Sequence, residues 1–314
     1  MISPRKRAGP APPGGPRFSF VNALVREEGP VICARMGLDR TKDASFDYAS
    51  EKLSISALVR KRDGGLVCQD TAIVFIGEHF AAVGVFDGFQ EAGTALSAMA
   101  ADSALEVLRG GRFSSLLAQA YERLFQKTLP DEALKKGGTT ATIALVQSDG
   151  GIYGNGAGDS ALYRIRRGSV ERLLEYRLGP KRKPVEEMTA EEYFDTRHLV
   201  SNPIDLKWFD KSRVMGYGGI MPAPESVLAA SDGVTKNLRI RFDPETGLVI
   251  DNSGCEHLQR RLMGLCSPAE MISTIDDTVM GAFRYQEKSG IALEPENDDY
   301  SAAVLTMHAL SDGQ

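Results

Sequence analysis

A chain of 314 residues, 42% apolar and 25% charged, carries enough material for a sizeable core and reads as a soluble globular protein of one large or two small domains. Its net charge of −5 excludes nonspecific nucleic-acid binding, which needs a surplus of Lys and Arg, and does not favour docking on an anionic membrane.

Residues 1–17 are basic and rich in Pro and Gly, which predicts a disordered tail. Its Pro-Arg-Lys-Arg run keeps a nuclear location open beside the intracellular, cytoplasmic one expected from cysteine usage. The four cysteines, Cys33, Cys68, Cys255 and Cys266, show no zinc-ligand spacing and read as reduced thiols.

Pattern begins weakly near Phe18 and firmly near Leu53, where Leu53, Ile55, Ala57 and Val59 alternate as in a half-buried strand. The β-rich runs 71–76 and 80–86 are joined by Gly77-Glu78-His79 and predict a hairpin. Those three residues also break the most apolar stretch below the roughly 18 residues of a membrane span.

Leu96, Met99, Ala100, Ala104, Val107 and Leu108 form a helical stripe stopped by Gly110-Gly111, and Leu117, Ala120, Tyr121, Leu124 and Phe125 form a second. Strands are expected over 139–146, 152–156, 161–165 and 170–174. Residues 175–219, with many charges and Trp208, predict an irregular flap. A short buried strand follows at 226–230.

Ser267, Pro268 and Glu270 spell a helix start, and Ile272, Ile275, Val279 and Phe283 mark the face that follows. A last strand covers 301–307. The order departs from strict strand–helix alternation, so we expect an α+β fold: a four-layer α/β/β/α sandwich of two antiparallel sheets flanked by helices.

The chemistry gathers on aspartates at strand ends: Asp70, Asp87 before Gly88, Asp159, Asp232 before Gly233, and Asp298-Asp299. Carboxylates that converge at one end of a sheet repel unless a cation lies between them. Mg²⁺ and Mn²⁺ suit a few carboxylates, a backbone carbonyl and water. Each Asp-Gly alone is as good a turn as a ligand; the ordered set is what carries the signal.

That set resembles the metal-dependent protein serine/threonine phosphatases of type 2C. Gln69-Asp70 is similar to the end of the family's first motif, and Val85-Phe86-Asp87-Gly88 to its Val-Phe-Asp-Gly. The family's later motifs are matched by Gly138-Thr139-Thr140-Ala141, by Asn155 to Ser160 and by Ser231-Asp232-Gly233, and its ending resembles Asp298-Asp299-Tyr300-Ser301. The resemblance runs from Leu53 to Met307 and implies a single phosphatase-like catalytic domain over 18–314.

It further implies two Mn²⁺ or Mg²⁺ ions and a weaker third. Asp87 would bridge two ions, Gly88 would offer its carbonyl, Asp232 and Asp298 would complete one shell, and Gln69 would serve the other. Asp159 would hold the third cation, and Asp70 would position metal-bound water for attack on phosphoserine or phosphothreonine. Phosphorylated proteins are the implied partners, with neither nucleic acid nor membrane, and a monomer is expected.

Three departures stand out. Gln69 replaces a carboxylate common in the family, and Phe89 replaces a His that can transfer a proton. The phosphate-binding Arg is Gly65 here, with Arg62 nearby as its substitute. These departures define the alternative, a catalytically impaired pseudophosphatase acting as a binding or regulatory module; the retained Asp87, Asp159, Asp232 and Asp298 weigh against it.

Overall fold

The computed structural model describes residues 17–28, 31–61, 67–111, 113, 115–128, 131–174, 203–205, 209, 211, 214–239, 241–242, 249–250, 261–262, 264, 267–289 and 299–308. Two seven-stranded antiparallel sheets dominate. The first runs, in spatial order, β1 (Arg17–Val21), β4 (Ala44–Ala49), β5 (Leu53–Arg60), β19 (Tyr300–Met307), β16 (Glu225–Ala230), β12 (Ala161–Arg166) and β13 (Ser169–Arg172). The second runs β15 (Met215–Ile220), β11 (Gly151–Ala157), β10 (Ala141–Gln147), β7 (Phe80–Phe86), β6 (Thr71–Ile76), β3 (Val31–Met36) and β2 (Ala23–Glu28). A small third sheet joins β14 (Ile204–Asp205), β9 (Gly137–Thr139) and β8 (Gly88–Gln90), and β17 (Arg241–Phe242) pairs with β18 (Val249–Ile250).

Period-2 alternation sorts the central strands into layers. Along β6, Ala72, Val74 and Ile76 enter the core between the two sheets, whereas Ile73 and Phe75 face the helices α1 (Gly93–Arg109) and α2 (Leu116–Thr128). Along β19, Ala303 and Leu305 enter the inter-sheet core while Tyr300, Ala302 and Val304 meet the opposite helical layer. That layer holds α3 (Asp232–Arg239) and α4 (Pro268–Ser289), with Ile272, Ile275 and Val279 of α4 buried as the stripe predicts. The expected α/β/β/α sandwich is therefore the observed architecture.

The 71–76/80–86 hairpin forms as expected, with Ile76 opposite Ala81 and the Gly77 amide donating to the Phe80 carbonyl at 2.9 Å. Four further strands precede Leu53, where sequence pattern is weak. In β4 the buried Ala44, Phe46 and Tyr48 alternate with Ser45 and Asp47, and the Asp47 carboxylate accepts a 2.6 Å hydrogen bond from Ser56 directly across on β5. Arg17, assigned from sequence to the tail, opens β1 opposite Ala49; residues 1–16 lie outside the described residues.

Two other boundaries differ. The strand expected over 139–146 splits at Thr140, whose amide turns away to donate to the Asp87 carbonyl at 2.8 Å, so β9 and β10 join different sheets. The expected irregular flap contains β14 and, at its end, β15, which pairs with β11 from Met215 opposite Gly156 to Ile220 opposite Gly151. Residues 175–202, Trp208 and the Phe283 side chain lie outside the described residues.

Candidate metal centre

The strand ends that carry the aspartates meet at one edge of the sandwich. Asp87 follows β7, Asp159 lies between β11 and β12, and Asp232 opens α3 directly after β16. One oxygen from each of these three carboxylates lies within 4.8 Å of the others, and all three residues are buried. Neither Asp-Gly pair makes a hairpin turn: Asp87-Gly88 leads into β8, and Asp232-Gly233 begins a helix. A donor set of hard carboxylate oxygens, mutually repelling while ionised, fits a divalent cation.

Each carboxylate is positioned by specific local contacts. The Asp87 carbonyl accepts from the Thr139 hydroxyl at 3.0 Å as well as from the Thr140 amide. Gly88 packs so closely on the start of α1 that a Cβ there would lie 2.3 Å from the Gly93 carbonyl oxygen and 2.8 Å from that of Gln69. Thr140 and Ser160 share a 2.5 Å hydroxyl–hydroxyl hydrogen bond, and the Thr142 hydroxyl donates to the Ser160 carbonyl at 3.0 Å, which fixes the loop carrying Asp159. Gly158, at φ 92°, takes a left-handed conformation there, and a Cβ on it would strike Thr140 at 2.6 Å.

Ser231, just before Asp232, exchanges two hydrogen bonds with Ser301: its amide donates to the Ser301 carbonyl and its hydroxyl accepts from the Ser301 amide, both at 2.9 Å. The Ser301 hydroxyl in turn donates to Asp70 Oδ2 at 2.7 Å. Asp70 is fully buried and is not one of the trio; it precedes Thr71, which pairs with Phe86 just before Asp87. Its neighbour Gln69 donates its backbone amide to Asp299 at 2.6 Å and its side-chain Nε2 to the Gln90 carbonyl at 2.8 Å. Gln90 itself has φ 61°, a conformation uncommon for a residue other than glycine.

The structure thus brings Asp87, Gly88, Asp159 and Asp232 together, with Gln69 and Asp70 alongside. Asp298 and Arg62 lie outside the described residues. Sequence reading overlooked Arg40, whose guanidinium contacts the head of β6; nothing in the unpatterned stretch around it signals that role. Burial lowers its pKa from the ordinary arginine value, with the Arg35 charge acting in the same direction and the Asp70 and Asp299 carboxylates opposing it. Cys68 is a buried free thiol, and burial pushes its pKa well up, so it packs as a small apolar side chain and offers no thiolate.

No protein-family model matches the sequence, and no curated protein matches it. Solved structures do. The serine/threonine phosphatase PstP/Ppp of Mycobacterium tuberculosis superposes with a TM-score of 0.60 at 16% identity, over 82% of this chain and 100% of that one. The PPM Ser-Thr phosphatase MsPP of Mycobacterium smegmatis, in complex with cacodylate, does so with a TM-score of 0.58 at 19% identity, over 83% and 100%. The catalytic domain of PstP in complex with two manganese ions gives 0.58 at 16% identity, over 82% and 99%. At such identities the likeness is one of fold. The chain has the fold of the type 2C, or PPM, serine/threonine phosphatases, and the resemblance read from its motifs extends to its architecture.

Proposed function

We propose that this protein hydrolyses phosphoserine and phosphothreonine esters in proteins, using divalent cations held by Asp87, Asp159 and Asp232. The observation that carries the proposal is the convergence of three buried carboxylates from three separate strand ends within 4.8 Å. Burying like charges together is costly unless a ligand returns the energy, so a retained trio favours a working cation site over a vestigial one.

Asp87, Asp159 and Asp232 would hold the cations, with the Gly88 carbonyl, Gln69 and Asp298 as further ligands from the sequence reading. When bound, Mn²⁺ or Mg²⁺ supplies a water nucleophile at neutral pH and neutralises charge on the phosphoryl oxygens. Asp70, fixed by Ser301, would accept a hydrogen bond from the attacking water and orient it. Phe89 has no proton to give, so the serine or threonine leaving oxygen takes its proton from solvent. Arg62 would contact the substrate phosphate.

The test is phosphate release from a phosphothreonine peptide by the purified protein with Mn²⁺, with Mg²⁺ and with EDTA, beside Asp87→Ala and Asp232→Ala. Metal-dependent turnover that both substitutions abolish is the expected result. Absence of turnover under every metal, together with calorimetry showing no Mn²⁺ binding, would leave a phosphatase fold kept as a binding module.

A further inference from the structure

The residues at the head of β6, just before the ladder in which Thr71 pairs with Phe86 next to Asp87, are not themselves held by a sheet ladder. Within 68–70, the backbone is gripped from four directions. The Cys68 amide donates to the Arg40 carbonyl at 2.6 Å, and the Gln69 amide donates to Asp299. The Gln69 carbonyl accepts from the Ser97 hydroxyl at 2.6 Å, and the Asp70 carbonyl accepts from Arg40 Nη1. Arg40 therefore supplies two of the four ties, one from its backbone and one from its guanidinium.

The same guanidinium reaches onward. Its Nη2 donates to the Thr71 hydroxyl at 2.8 Å, to the Thr94 carbonyl at 3.1 Å and, more weakly, to the Ser97 hydroxyl at 3.5 Å. Thr94 and Ser97 belong to the first turns of α1, which begins at the Gly93 against which Gly88 packs. One planar cation thus bridges the β3–β4 connection, the β6 head and the α1 start. Gly37 leaves the space for it: a Cβ there would lie 3.2 Å from the Asp70 carbonyl and 3.4 Å from Arg40 Nη1.

We propose that Arg40 is a positioning residue for the metal centre, locking Gln69 and Asp70 in place against Asp87 through their backbone and through α1. This role rests on the phosphatase reading for its purpose, but the lock itself is a property of the fold. The Arg40 side chain is committed to acceptors around it, so it does not replace the phosphate-binding Arg. A lysine cannot reproduce the fork, because an ammonium is a point charge whereas this site uses two separate nitrogens at once.

The experiment compares wild type with Arg40→Lys and with Ser97→Ala, which removes the tie to the Gln69 carbonyl without touching a charge. Arg164→Lys, at an ion pair with the half-buried Glu225 in the other sheet, serves as the control. Amide hydrogen exchange in EDTA reads the lock without any cation. Exchange over 68–71 and 94–97 should accelerate in Arg40→Lys and, less, in Ser97→Ala, and stay as in wild type for Arg164→Lys. Calorimetry then reads Mn²⁺ affinity, which should fall roughly 10–100-fold in Arg40→Lys, the usual cost of losing an outer support of a metal site.

Folded Arg40→Lys protein with unchanged exchange at 68–71 would overturn the proposal. So would altered exchange with unchanged Mn²⁺ affinity, because the lock would then serve stability alone. If wild type binds Mn²⁺ without turning over phosphopeptide, and Arg40→Lys weakens that binding, the positioning role stands and the phosphatase reading falls. If wild type binds no Mn²⁺, both fall.

Discussion

The substitution Asp159→Asn should stabilise the metal-free protein and weaken its response to metal. The trio brings carboxylate oxygens within 4.8 Å of one another at a buried edge. For two ionised groups at that distance and an effective dielectric of about 20, the repulsion is about 3.5 kcal/mol per pair. Neutralising the side chain at this position would remove two such pairs. Relaxation and water entering beside Asp87, and the cost of refitting a buried amide at roughly 1–3 kcal/mol, reduce the net gain to about 2–4 kcal/mol. At roughly 2 °C per kcal/mol for a chain of this size, the melting temperature in EDTA should rise by about 4–8 °C.

Saturating Mn²⁺ acts the other way. Cation at about 100 times its Kd should stabilise wild type by about 2.7 kcal/mol, and the variant, short of a ligand, should gain little. The assay is thermal unfolding of both proteins in EDTA and in millimolar Mn²⁺. The variant should melt above wild type in EDTA, and that lead should narrow in Mn²⁺. A variant that melts below wild type in EDTA would refute the reasoning, because the carboxylates would then be net stabilising without a cation.

Gly88→Ala should destabilise by about 1–3 kcal/mol or more, since its Cβ would meet backbone 2.3 Å away, and should weaken Mn²⁺ binding by displacing Asp87; urea unfolding and calorimetry read the two effects. Gln69→Glu should lower the melting temperature in EDTA, because it exchanges the 2.8 Å hydrogen bond to the Gln90 carbonyl for an oxygen–oxygen contact at a cost of about 1–2 kcal/mol; a stabilised variant would show that the amide does not clasp this loop. Asp276 on α4 is held below the usual carboxylate range: burial raises its pKa, but hydrogen bonds from Arg60 and Tyr300 outweigh it. A lowered folded pKa adds stability above the unfolded value of about 3.9 that is lost as pH falls through the folded one. Asp276→Asn should therefore unfold with a shallower pH dependence below about pH 4 than wild type, as followed by circular dichroism.

Much of the layer plan was legible because buried strands and amphipathic helices announce themselves by period. The stripes of α1, α2 and α4 and the 71–76/80–86 hairpin are local patterns, and tertiary structure left them unchanged. The four strands before Leu53 were not legible, since they are short, five or six residues each, and β1 and β2 expose most of their length, so the burial that would mark them is slight. The same holds for β15, whose Met215-Gly216-Tyr217-Gly218-Gly219 reads as loop until β11 supplies its partner.

At the site, the aspartates were legible by their identity and order, because the motifs that carry them are short and local and each lies at an end of a strand pattern. Sequence alone therefore picked out the carboxylates and the class of fold around them. Only the tertiary structure decided which donors converge, that Gln69 spends its amide nitrogen on Gln90, and that the cation behind Asp70 is Arg40. Those outcomes depend on contacts across 21 and 30 residues of chain, and folding alone sets the distances between segments so far apart.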